Sequence, residues 1–250
     1  MALKQPTLEE IVDSERQLVL TADERYGKYS RHARECAFFT SQCIISVALD
    51  RLMFARFFSL MKKQLMLAFL STLRLHKVQA MMNLRQVLEA GAAAAFAIAN
   101  PEPEHFAISD AQGFIDPSRE LATKRYRWLA QRFPEASAAI REKKEMMHNL
   151  AHANIVLTSK TFEVNEAGNE IITRFFDLED EYHVKVDLWL TASISIELMN
   201  LLYCVKKEHD VLKFIPNFES NFDRIYEDNI ALLTEMKSNE RYKRMLNLSK

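Results

Sequence analysis

Between positions 78 and 101 the chain reads VQAMMNLRQVLEAGAAAAFAIANP and carries only two charges, Arg85 and Glu89, four residues apart. On a helix that spacing puts both charges on one face, so the rest of the segment needs protein on almost every side and other helices must wrap it. Its second half is built of small residues, Gly91 and the alanines around it, which let neighbouring backbones come close. A second stretch, 188–205, is equally sparing, with Glu197 its single charge. Two such segments at the centre predict an all-α helical bundle of about six helices. The chain has four glycines and six prolines in 250 residues, whereas an all-β or doubly wound α/β chain would need more turn residues and phosphate-loop glycines.

The other elements follow from spacing and punctuation. Residues 31–74 carry apolar side chains three and four apart and predict one very long helix or two in series, with a break near Ser59. The charge-poor helix covers 76–99 and is stopped by Pro101 and Pro103, which open a loop to about residue 115. Asp116 and Pro117 read as a cap followed by a first-turn proline, and Pro134 begins the next helix, running to about 157. The runs TFEV and IITRFF, separated by NEAGNE, predict a small β-hairpin near 160–176. Helices follow over 182–207 and 217–237. Residues 1–25 form a polar leader, and 239–250 a polar, basic tail that frays or packs on a partner. No repeat or shift in composition divides the chain, which reads as a single helical domain over 1–250.

Thirty-three basic residues against 34 acidic leave a net charge of −1, so no global field gathers a polyanion and any nucleic-acid contact must be local. The amino terminus lacks a basic segment followed by an apolar core, which predicts a cytoplasmic protein. The apolar stretches 65–73 and 90–99 each reach about half of the roughly 20 residues a bilayer requires, so no membrane partner is expected. The three cysteines form no CxxC pair and are expected reduced in the core. There is no glycine-rich phosphate loop, nucleophile elbow or zinc spacing, which sets aside kinase, P-loop, dehydrogenase and hydrolase-fold functions. No nucleotide or other cofactor is expected.

The segment REKKEMMHNLAHANI places Arg141, Glu145, His148 and His152 three and four residues apart on one helical face. A stripe with two imidazoles and a guanidinium suits acid–base cleavage of a phosphodiester: histidine moves protons while arginine stabilises charge on the phosphorane. It equally suits a solvated or interhelical polar stripe. Arg85 and Glu89 read first as an internal ion pair, since a lone charge on so apolar a helix is costly. Alternatively, Arg85 faces the histidine helix and completes an anion site with Arg141 or Lys144. His76, His183 and His209 lie near helix ends without comparable spacing.

Arg141, six residues and then His148 resembles the R-x4-6-H motif of HEPN-domain proteins, a helical class that includes metal-independent endoribonucleases used as toxins and in phage defence. The stretch LRQVLE at 84–89, followed at a distance by a histidine helix, is similar to uncharacterised bacterial helical families near that class. The likeness covers about 61–155. It implies RNA as substrate, His148 as proton shuttle, Arg141 as phosphate ligand, and a homodimer that pools two motifs in one cleft. The sequence departs from the family pattern at Glu142, where a polar residue that aids catalysis commonly follows the arginine; its negative charge repels phosphate.

Two other functions fit the same residues. One is a non-catalytic interaction or regulatory bundle with the polar stripe at a dimer interface. The other is a carboxylate-bridged metal protein, with Glu145 and His148 as an E-x-x-H pair and Glu89 or Glu197 as further ligands. The second E-x-x-H match, Glu102 and His105, lies in the proline-rich loop.

Overall fold

The computed structural model describes residues 6–109, 115–116, 118–151, 160–165 and 170–248. These residues form ten α-helices and three two-stranded ribbons, which establishes the all-α class. Part of the excess over the expected six helices lies in the leader. Thr7 accepts the Glu10 N–H at 3.2 Å while the Glu10 carboxylate accepts the Thr7 N–H at 2.8 Å, a reciprocal cap that starts α1 (Leu8–Leu20). After α2 (Ala22–Tyr26), Gly27 adopts φ 57°, a left-handed turn that glycine makes without steric cost, and α3 (Lys28–Gln42) begins.

The stretch 31–74 breaks well before Ser59. Ile44, Ile45 and Val47 are β-branched and favour extended backbone. They form β1 (Ile44–Val47), which pairs antiparallel with β6 (Leu212–Phe214), with an irregularity between Ile44 and Ser46. Ser59 lies inside the continuous helix α4 (Leu52–Leu73). That helix ends in a turn where His76 N–H donates to Ser71 O at 2.9 Å and Leu75 N–H to Thr72 O at 3.2 Å. Leu75 stands at φ 59°, the left-handed position usually given to glycine. The chain then folds back into α5 (Lys77–Ala99).

Beyond a short 3-10 turn at Pro103–His105, β2 (Ile108–Ser109) pairs with β3 (Ile115–Asp116). Asp116 therefore belongs to a strand, and the cap of α6 (Arg119–Arg132) is Ser118, whose hydroxyl accepts the Glu120 N–H at 3.1 Å. Helix α7 (Pro134–Ala151) follows; the expected end near 157 lies outside the described residues, as does Pro117. Strands β4 (Phe162–Asn165) and β5 (Glu170–Thr173) form the antiparallel hairpin; its turn at 166–169 lies outside the described residues. Helix α8 (Glu181–Glu208) is capped by Asp180, which accepts the Tyr182 and His183 N–H groups. Helix α9 (Phe218–Ser238) and a helical tail, α10 (Glu240–Leu248), complete the chain. Arg241 of that tail pairs with Asp180 at 2.6 Å.

The two charge-poor segments are α5 and α8, and both are buried. Helix α8 has the length and apolarity of a membrane span, and 72% of its most apolar window is buried inside the bundle. Around this pair pack α3, α4, α7 and α9. Cys36 and Cys43 are buried free thiols, and Cys204 is a partly exposed one.

Gly91 shows why small residues line α5. A Cβ built there would stand 2.7 Å from both δ carbons of Leu198, a buried residue of α8, so any side chain at 91 must displace the end of Leu198. Gly91→Val is expected to cost about 1–3 kcal/mol by overpacking, read as a lower urea midpoint at unchanged slope. Leu198→Ala added to the same chain should then cost less than it does alone, because the two changes share one contact.

Candidate functional site

Helix α7 has two working faces. Ile140 and Met147 bury one of them in the core, and Lys143 beside them donates to both Glu197 carboxylate oxygens of α8, at 2.6 and 2.8 Å. The other face carries Arg141, Lys144, Glu145 and His148, and these line a cleft of about 680 Å³ with Arg85 of α5 and Tyr126 of α6. Ala130 and Ser137 are the small side chains between them. Glu142 is exposed and does not line the cleft, since one residue along a helix turns the side chain by about 100°. His152 lies outside the described residues.

Arg85 pairs with Glu89 and also faces the histidine helix. Its Nε donates to Glu89 Oε1 at 3.3 Å and its Nη1 donates to His148 Nδ1 at 3.1 Å. Glu89 is a hub: the same Oε1 takes Lys144 Nζ at 3.1 Å. Lys144 Nζ in turn donates to the Tyr126 hydroxyl at 2.8 Å and stands 4.5 Å from the ring centre. The Arg85 and Glu89 side chains are each 35% exposed, so the pair sits at the edge of the bundle, where an ion pair escapes the full desolvation penalty. A guanidinium has donors only. The His148 Nδ1 lone pair must therefore accept from Arg85, which leaves the ring neutral with its hydrogen on Nε2.

Arg85, Arg141 and Lys144 bring three cations to the cleft and Glu145 one carboxylate, while Glu89 is bonded to Arg85 and Lys144 without lining it. Chemically the arrangement can hold an anion against the cations and present an imidazole to it. Sequence spacing indicates Arg85 and the charged and histidine residues of α7 but misses Ser137, which stands four residues before Arg141 on the same helix, and Tyr126, because nothing in the α7 pattern says which face of α6 meets it. Among the described residues the carboxylate–metal arrangement is not assembled. Glu197 is bound to Lys143, Glu89 to Arg85 and Lys144, and among the described residues no three His, Cys, Asp or Glu side chains come together as a metal ion would need.

A second cluster of charge lies at the amino-terminal end of α5. Lys77 Nζ pairs with Asp187 at 3.1 Å and Glu179 at 3.6 Å, and Asp177 accepts the Lys77 backbone N–H at 2.6 Å. Burial pulls the Lys77 ammonium down, but the Asp187 and Glu179 carboxylates more than offset this and hold it above its ordinary value. For Asp187 burial wins over the pull of Lys77 and pushes the carboxyl up to about 6. Asp177 is likewise raised by burial, against its bond to the Lys77 N–H. His76 bonds Glu15 at 2.8 Å and ties α1 to the start of α5, while His183 bonds Asp180, the cap of its own helix, at 2.9 Å.

Elsewhere, Cys36 Sγ lies 3.6 Å from His32 Nε2, a spacing that suggests a nucleophile and its base. Both are buried. Desolvation pushes the thiol up and the imidazole down, so the thiolate–imidazolium pair that such chemistry needs is disfavoured. His32 also contacts the Asn229 side chain at 3.3 Å and joins α3 to α9.

Compared with protein-family models, with curated proteins and with solved structures, the chain matches none.

Proposed function

We propose that this protein is a HEPN-like, metal-independent endoribonuclease, acting as a cytoplasmic defence or toxin component, with the cleft between α5, α6 and α7 as its active site. The observation that carries the reading is the meeting of Arg85, Arg141, Lys144 and His148 around one opening from two separate helices. In this scheme Arg141 and Lys144 hold the phosphodiester and offset the charge that builds on its oxygens. The 2′-oxygen attacks phosphorus while its proton passes to His148. The bond to the 5′-oxygen breaks, and that oxygen leaves with a proton returned by the imidazole. The products are a 2′,3′-cyclic phosphate and a 5′-hydroxyl, and no co-reactant is consumed. A homodimer, implied by the family likeness, would bring two such clefts together.

The test is incubation of the full chain with mixed RNA in EDTA, beside His148→Ala and Arg141→Ala at matched helicity and oligomeric state. Wild type is expected to cut. Loss of the imidazole should slow cutting by about 10²–10⁴-fold, the usual contribution of a positioned acid–base group. Intact RNA with all three proteins would move the assignment to a non-catalytic interaction bundle.

A further inference from the structure

We propose that Arg85 is a latch on His148: in the resting protein it occupies Nδ1, and an entering phosphate draws the guanidinium away and leaves that lone pair able to take a proton. This rests on the cleft being a phosphodiester-cleaving site, and it adds a positioning residue from outside the Arg141 and His148 motif. Arg85 Nη1 is 3.1 Å from Nδ1, and only a ring with a lone pair at that atom can receive it. While the contact lasts, Nδ1 accepts no proton from a 2′-hydroxyl.

The contact is poised to exchange. A neutral imidazole nitrogen is a weaker acceptor for a guanidinium than a phosphate oxygen, which carries the opposite charge and can take two parallel N–H groups. The planar guanidinium moves as one unit, and Glu89, 3.3 Å from its Nε, lies one turn along the same helix, so the group can swing from His148 toward an anion in the cleft with Glu89 still within reach. Arg141 and Lys144 line the same cleft and would bring the anion to it. Once Nδ1 is released, the sequence is that of the cleavage scheme: the 2′ proton moves to Nδ1, the bond from the 2′-oxygen to phosphorus forms, the bond to the 5′-oxygen breaks, and the proton leaves with that oxygen.

The experiment is nitrogen NMR of histidine-labelled full chain, wild type and Arg85→Ala, with and without inorganic phosphate, and with a 2′-deoxy dinucleotide that cannot be cleaved. In wild type the His148 Nδ1 signal should move on adding either ligand, toward the position it already holds in ligand-free Arg85→Ala. In that variant the ligands should move it little. Signals identical in the two ligand-free proteins, or ligand shifts of equal size in both, would overturn the latch.

Kinetics adds an independent arm. Arg85→Ala should raise KM by roughly tenfold or more, for loss of one charged hydrogen bond, with a smaller change in kcat, and Arg85→Lys should recover part of the KM. A kcat loss as deep as that of His148→Ala would also count against the latch. Ligand-dependent shifts without any RNA cleavage by wild type would leave the anion latch standing and remove the nuclease reading.

Discussion

Lys77→Met is expected to destabilise the protein by about 3–5 kcal/mol at neutral pH, the usual result of removing one partner from a buried ion pair. Lys77, Glu179 and Asp187 have side chains 16%, 4% and 10% exposed, so the two carboxylates cannot turn to water when their shared cation goes. His183 and Lys160, at 3.6 and 4.0 Å from Glu179, compensate in part and hold the loss toward the lower end of that range. The pH dependence identifies the cause. Asp187 titrates near 6 in the folded chain against an ordinary 3.8, so the folded state binds its proton more tightly than the unfolded state does. Its favourable contribution is present below the ordinary value and lost as pH rises through 6. Without Lys77 the penalty of keeping Asp187 ionised grows, so the difference between Lys77→Met and wild type should be largest above pH 7 and shrink toward pH 4. Urea unfolding at both pH values measures it. A deficit that does not change with pH would assign the loss to packing instead.

The central helices were legible because burial leaves a record in composition. With two charges between 78 and 101 and one between 188 and 205, α5 and α8 have almost no face that could meet water. The strand at Ile44–Val47 was harder to read, since its apolar residues fit a helical period as well as an extended one and its partner β6 lies more than 160 residues along the chain. Only the pairing decides between the two. In the leader, the cap formed by Thr7 and Glu10 is a local signal present in the sequence, and it turns a segment that reads as polar into helix α1. Within the cleft, the residues of α7 follow from three- and four-residue spacing. The choice of Arg85 as their neighbour depends on how α5 is rotated, and Tyr126 depends on the packing of a third helix.

Lys77 was unreadable for a related reason. It stands at the first position of α5, where a lysine is ordinarily solvated, and its partners come from the loop before α8 and from α8 itself. Helix α5 thus carries charge at its amino-terminal end and at the cleft, with its alanine-rich stretch following Glu89. The structure it needs in the core and the groups it offers at the surface are set by the same helix, so a fault in its packing should be felt at Arg85.

Phe96→Ala should show this most plainly. Phe96 is 2% exposed and meets three rings edge-on: Trp128 at 5.4 Å, Phe106 at 5.6 Å and His105 at 6.0 Å. Phe106 passes the contact on to Phe57 at 5.1 Å, so one side chain joins α4, α5, the 3-10 turn and α6. Emptying its site is expected to cost about 3–5 kcal/mol, a large share of the roughly 5–15 kcal/mol by which a folded chain is stable. At about 2–4 °C per kcal/mol for a chain of this size, the melting temperature should fall by roughly 6–20 °C. Trp128 and Tyr126 both stand on α6, so a shift of that helix after loss of the Phe96–Trp128 contact would carry Tyr126 away from Lys144. The phosphate binding proposed for the cleft should weaken in Phe96→Ala even at temperatures where the chain is folded. In a Trp189→Phe background, Trp128 emission should shift to the red before global unfolding. Unchanged emission and unchanged phosphate binding in folded Phe96→Ala would show that α6 holds its place without this ring cluster, and that the cleft is set by the polar contacts of Glu89, Lys144 and Tyr126 alone.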